Sequence, residues 1–150
     1  MTSVFLIPKD HYSSVKDDVE ALITKSIKLS DGRDDFATVW NELQRTHQQL
    51  WMVFDSENKP IAALLTSIKA YALKRMFLLQ WLGGEDMDDW LGRLLDTLAA
   101  FAKANSCAGM EIVGREGWKR ALRDQGWEAN LVVCTKYFDE EAVKETRDAA

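Results

Sequence analysis

The sequence predicts an α/β domain built on a mixed sheet, with helices on both faces and the order β-α-α-β-β-β-α-β-α-β. Three observations predict it. Short runs rich in β-branched and aromatic residues alternate with stretches whose apolar residues recur at helical spacing. Polar or glycine-containing turns separate them. Some strands are joined through helices, which makes parallel neighbours, and others by tight turns, which makes antiparallel ones.

The elements follow in order. Residues 3–7 are a β-type run closed by Pro8, and Val15, Val19, Leu22, Ile23 and Ile27 then mark a helix over about residues 11–28. Ser30-Asp31-Gly32 breaks it. A second helix carries Phe36, Val39, Trp40 and Leu43 on one face, with Asp34 or Asp35 near its start, where the helix dipole favours acid. Residues 50–54 and 61–70 read as a hairpin around the polar turn at 55–60, and residues 76–82 read as a third strand ended by Gly83-Gly84. Leu91, Leu94, Leu95, Leu98, Phe101 and Ala102 define a long helix over about residues 87–104. A strand over residues 109–113, a short helix over 118–125 stopped by Gly126, and a final strand over 127–138 complete the domain. Residues 1–138 are thus one domain, and residues 139–150 an acidic tail expected as a weak helix or a disordered end.

Composition narrows the function classes. The chain has 150 residues, 47% of them hydrophobic, which excludes a disordered chain. Its 19 Lys+Arg against 24 Asp+Glu give a net charge of −5, which argues against nucleic acid and against anionic membrane surfaces as partners. No apolar run approaches the roughly 20 residues of a membrane span. Cys107 and Cys134 form neither a disulfide framework nor a zinc set, and His11 and His47 have no partner at metal spacing, so reduced thiols, no metal and a cytoplasmic location are expected. The apolar N-terminus lacks a basic leader and stops at Pro8, so it reads as a strand and not as a signal peptide.

The element order resembles that of the GNAT acetyltransferases over nearly the whole chain. The strand before the long helix, its glycine turn, and the ending Trp118…Gly126-Trp127 carry the likeness. In that family a loop of the form Arg/Gln-x-x-Gly-x-Gly/Ala holds the acetyl-CoA diphosphate on backbone N–H groups at the start of the long helix. The matching stretch is Gln80-Trp81-Leu82-Gly83-Gly84-Glu85, so Gln80, Gly83 and Gly84 are the cofactor-binding candidates should acetyl-CoA bind. Glu85 stands in place of a small residue, and Glu85, Asp86, Asp88 and Asp89 put four carboxylates where the diphosphate would sit. They cap the helix and repel a diphosphate.

The catalytic positions also depart from the family. Leu122 stands where many members have the tyrosine that protonates the leaving thiolate, and Arg115 where they often have asparagine. Glu111, on the strand after the long helix, is the candidate general base. Tyr12, Tyr71 and Tyr137 are other donors, but spacing selects none of them.

A narrower likeness is carried by Met110-Glu111-Ile112-Val113-Gly114-Arg115-Glu116-Gly117-Trp118, by Gln80-Trp81-Leu82-Gly83-Gly84 and by Asp89-Trp90-Leu91. These words resemble small GNAT-like proteins encoded by tailed bacteriophages, some of whose fold relatives belong to the virion or its assembly. Six tryptophans then divide. Trp40 and Trp51 read as core, while Trp81, Trp90, Trp118 and Trp127 lie at element ends beside turns. These four either plug the opening where a pantetheine arm would enter or, with Arg115, anchor a protein partner. The expectation is a degenerate GNAT-like protein, phage-encoded, that acts without acetyl transfer and without a cofactor as an interaction or virion-assembly component in the bacterial cytoplasm or the virion. The alternative is an acetyl-CoA-dependent N-acetyltransferase with an atypical donor loop.

Overall fold

A computed structural model describes residues 1–114 and 116–139. The chain forms β1 (Ser3–Leu6), a 3-10 turn (Lys9–His11), α1 (Tyr12–Lys28), α2 (Phe36–Arg45), β2 (Gln48–Phe54), β3 (Pro60–Ala70), β4 (Arg75–Gly84), α3 (Met87–Ala104), β5 (Gly109–Ile112) and α4 (Glu116–Arg123). The five strands make one sheet in the order β1-β2-β3-β4-β5. The first three pairings are antiparallel. β4 and β5 are parallel because α3 carries the chain back between them.

The sheet separates two cores. On one face α1 and α2 set Val19, Ile23, Ile27, Val39, Trp40 and Leu43 against Leu50, Met52, Ala63 and Leu65. On the other, α3 and α4 set Trp90, Leu94, Leu98 and Leu122 against Trp51, Leu64, Phe77 and Leu79. The period-2 alternation of β2 and β3 sends successive side chains to opposite cores. Trp51 needs a polar partner once buried: its Nε1–H donates to Thr66 Oγ1 at 2.9 Å, and Thr66 donates to Gln49 Oε1 at 2.9 Å.

Local chemistry fixes the turns. Asp35 caps α2, its Oδ1 accepting from the Thr38 N–H at 2.8 Å. In the β2–β3 turn Asp55 Oδ1 accepts from the N–H groups of Glu57 and Lys59, both at 2.9 Å, and Asn58 takes φ 61°.

Three features differ from the sequence reading. α4 begins at Glu116, earlier than expected. Gly83 and Gly84 do not end β4 but belong to it, opposite Ala63 and Ala62. Their lack of a side chain serves packing: a Cβ on Gly83 would lie 2.0 Å from the Leu22 carbonyl oxygen of α1, and one on Gly84 2.6 Å from the Ala62 Cβ. Finally, residues 127–138 form no strand and do not join the sheet. Trp127 packs against the α3 core, while farther along Tyr137 Oη donates to Asp31 Oδ2 at 2.5 Å and Arg33 Nη2 donates to Thr135 Oγ1 at 3.4 Å, both at the α1–α2 turn. Residues 140–150 of the expected acidic tail lie outside the described residues. No helix among the described residues is long and apolar enough to cross a membrane.

Candidate functional site

The sheet opens between its last two strands. β5 pairs with β4 only from Met76 to Leu79, so Gln80 to Gly84 have no strand on that side among the described residues. A β-bulge marks the start of the opening. Thr66 faces Leu79 and Leu65 faces Trp81, which leaves Gln80 as the extra residue. The bulge resets the alternation: Leu79 and Leu82 both enter the α3 core, while the intervening Trp81 packs against the α1 core. Gln80 is half-buried, and its Oε1 is buried without a hydrogen-bond partner among the described residues.

The turn from β4 into α3 borders the same opening. Glu85 N–H extends the pairing to the Ile61 carbonyl at 2.9 Å, and Asp86 takes the left-handed φ of 54°. Trp90 locks the turn from beneath: it is 1% exposed, and its Nε1–H donates to the Glu85 carbonyl at 2.5 Å. The Asp89 N–H is used within the turn, on the Asp86 carbonyl at 2.9 Å. A shallow hollow of about 400 Å³ is lined by Asp86, Met87, Asp88 and Asp89. Glu85, Asp86, Asp88 and Asp89 are all exposed, and none has an ion-pair partner among the described residues. The positive end of the α3 dipole is therefore met by this protein's own carboxylates.

No family model matches the chain, and no curated protein does. Solved structures do match. An aminoglycoside N-acetyltransferase in complex with CoA superposes at a TM-score of 0.65 with 12% identity, over 93% of this chain and 96% of that one. Glucosamine-6-phosphate N-acetyltransferase from Arabidopsis thaliana gives 0.63 and 11%, over 93% and 99%. A GNAT family acetyltransferase from Staphylococcus aureus gives 0.63 and 11%, over 91% and 98%. The chain has the GNAT fold. At this identity the likeness establishes the fold and leaves the activity to the site.

Acetyl-CoA is the cofactor that the GNAT fold implies, and the turn at the start of α3 is where the resemblance puts its diphosphate. The residues there do not fit that group. Four exposed carboxylates, without an ion-pair partner among the described residues, lie at that turn, each opposing a phosphate charge by roughly 1 kcal/mol when wet. Gly83 and Gly84, the expected donor-loop glycines, lie in a strand and are accounted for by close packing. Gln80 is the exception: its orphaned oxygen sits at the edge of the opening.

Glu111 lies elsewhere. It is half-buried on β5 opposite Leu78, in the paired part of the sheet. Its neighbours Met110 and Ile112 enter the α3 core, so alternation places Glu111 on the α1 side. Tyr71 Oη donates to Glu111 Oε1 at 2.5 Å, and Lys69 Nζ stands 5.5 Å from the Tyr71 ring centroid. The hydrogen bond to the carboxylate, then desolvation and the carboxylate charge, push the Tyr71 hydroxyl above the usual tyrosine pKa. Residues 71 and 111 are 40 apart in sequence, which is why spacing did not select this tyrosine. Leu122, at the position of the family's acid tyrosine, is 4% exposed core.

The four turn tryptophans do not share one environment. Trp90 is core. Trp81 is half-buried against the α1 side. Trp118 and Trp127 are half-buried against the α3 core, Trp118 so close over Gly114 that a Cβ there would meet its ring at 2.5 Å. Arg115, expected beside them, lies outside the described residues. No group of three or more His, Cys, Asp and Glu among the described residues could hold a metal ion.

Proposed function

We propose that this GNAT-fold chain acts without acetyl transfer, as a protein-docking component of the kind that tailed bacteriophages use in the virion or its assembly. One observation carries the reading. The turn that would receive a CoA diphosphate carries four exposed carboxylates, without an ion-pair partner among the described residues, and is held by the buried Trp90. The phage character rests on the short likeness around Gly114-Arg115-Glu116-Gly117-Trp118. The half-buried Trp81, Trp118 and Trp127 supply apolar anchors of the type that dominate protein interfaces. Calorimetric titration with acetyl-CoA tests the proposal. No heat beyond dilution is expected, and a dissociation constant in the low micromolar range overturns it.

A second reading has its own support. The orphaned Gln80 oxygen in the bulge and the Glu111–Tyr71 pair are polar groups that a pure scaffold does not require. In that reading the protein is an N-acetyltransferase with an atypical donor grip, and Glu111 takes the proton from an attacking amine. Acetyl transfer to any amine acceptor, abolished by Glu111→Gln, would establish it in place of the first.

A further inference from the structure

The hairpin that joins β3 to β4 carries an apolar tip that the fold does not use. Beyond the last paired residues, Ala70 and Arg75, the Tyr71 N–H donates to the Lys74 carbonyl at 2.8 Å and closes a tight turn. Leu73 stands in that turn 97% exposed and belongs to neither core. A leucine held in water at the end of a hairpin lacks an apolar partner.

Cations surround this tip. Lys69 and Arg75 flank it on the two strands, and Lys74 lies within the turn. Lys103, in the last turn of α3, comes to the same end of the sheet. Two bonds bring it there: Arg75 Nε donates to the Asn105 carbonyl at 2.9 Å, and the Ala108 N–H to the Arg75 carbonyl at 2.7 Å. The four cations are exposed, and none has an ion-pair partner among the described residues. Residues 58–84 and 97–110 contain no Asp or Glu to supply one. Glu111, which does reach the hairpin, accepts from the Tyr71 hydroxyl. That bond and the Lys69 ammonium, 5.5 Å from the ring centroid, hold the half-exposed Tyr71 ring at the base of the tip.

We infer that this tip docks on an anionic lipid bilayer. Leu73 enters the acyl region, Tyr71 lies at the interface, and Lys69, Lys74, Arg75 and Lys103 meet the headgroups. The layering favours this partner over other anions. Nucleic acid would satisfy the cations but gives Leu73 nothing to bury against. An acidic protein needs a pocket matched to the tip, whereas a bilayer accepts any projecting apolar side chain. A small apolar anchor and a basic patch together hold a peripheral protein that neither holds alone.

The place of the tip in the sheet makes its charge effective. β4 runs from Arg75 at the tip to Gly84 beside the acid turn, a span of roughly 30 Å. Screening acts over about 8 Å at physiological ionic strength, so a surface at the tip meets the cations and not Glu85, Asp86, Asp88 and Asp89. The net charge of −5 opposes an anionic membrane only as an average over the chain. The tip and the opening lie at opposite ends of β4, so the inference stands apart from both readings of the opening.

The test uses the full chain and extruded vesicles. Co-sedimentation with phosphatidylcholine vesicles is compared with vesicles in which about a third of the lipid is phosphatidylserine, at low and at physiological salt. Binding is expected to the phosphatidylserine vesicles alone, and should weaken as salt rises. Lys69→Gln and Lys74→Gln should each lower the partition coefficient about fivefold. Leu73→Ser should lower it about tenfold at unchanged charge. These side chains are exposed and outside both cores, so the far-UV dichroism should match wild type. Leu73→Trp should retain binding, and lipids brominated on the acyl chains should quench its emission more than that of wild type. Equal binding to both vesicles, or binding to neither, overturns the inference. Binding that ignores Leu73→Ser, or ignores both lysine substitutions, overturns it too. So does tighter binding to a duplex DNA oligomer or to polyglutamate than to the vesicles, which would assign the tip to nucleic acid or to an acidic protein.

Discussion

Gly83 shows how one side chain, or its absence, places a helix. The α1 backbone at Leu22 comes so near that a methyl group on Gly83 would lie 2.0 Å from a carbonyl oxygen. Backbone cannot step aside as a flexible side chain can, so Gly83→Ala is expected to cost about 3 kcal/mol or more, read as a fall in the urea midpoint. A variant within a few tenths of wild type would show that α1 does not need this contact. Two titrating residues set opposite limbs of the pH profile. Asp35 has its pKa lowered by the bonds from Thr38, so its contribution holds above the unfolded value and fades as pH falls through the folded one. Tyr71 has its pKa raised by Glu111, so its contribution holds below the unfolded value and is lost as pH rises through the folded one. Glu111→Gln removes the carboxylate that accepts the Tyr71 hydrogen bond, and its charge with it, so the phenolate absorbance of Tyr71 should then appear at lower pH than in wild type.

At the scale of elements, the bulge in β4 decides what the opening contains. Gln80 lets Leu79 and Leu82 face one core and Trp81 the other, and leaves its own oxygen buried without a donor among the described residues. Gln80→Leu removes that orphan at similar volume. Its thermal unfolding is expected to match wild type or to gain about 1 kcal/mol. A clear loss would mean that a donor reaches this oxygen. The α3 turn makes the opposite prediction. Trp90→Phe keeps most of the ring but removes the N–H that holds the Glu85 carbonyl, and should cost about 1–3 kcal/mol in denaturant titration. The loosened turn still presents its four carboxylates, so acetyl-CoA should remain unbound in the calorimeter.

Across the whole molecule, the sheet acts as a wall between two cores. Leu43 is fully buried under α2 and Leu98 under α3, on opposite faces. Each truncation to alanine should cost about 2–5 kcal/mol, and the double variant should equal the sum to within about 0.5 kcal/mol, because the sites share no partner. Coupling well beyond that in urea titrations would show that the sheet transmits strain between the layers. The net charge of −5 has a local meaning at this scale. Part of it collects at the start of α3, and part follows residue 138, beyond the segment that the sheet does not take up.

The sequence by itself determined the mixed sheet with helices on both faces, because apolar periodicity is local and survives without knowledge of neighbours. It located α1, α2 and α3 closely, since their buried faces and the Asp35 cap are written within a few residues. It also placed four carboxylates at one helix start. Only the tertiary structure decided the rest. Gly83 and Gly84 read as a loop but serve packing, because the neighbours they must admit are distant in sequence: Leu22 for Gly83, and Ile61 and Ala62 for Gly84. Tyr71 joins Glu111 across 40 residues, through a hairpin and a helix that no spacing rule spans. Residues 127–138 have the composition of a strand, yet a strand forms only where an edge accepts it. Propensity is a property of the segment, and pairing is a property of two.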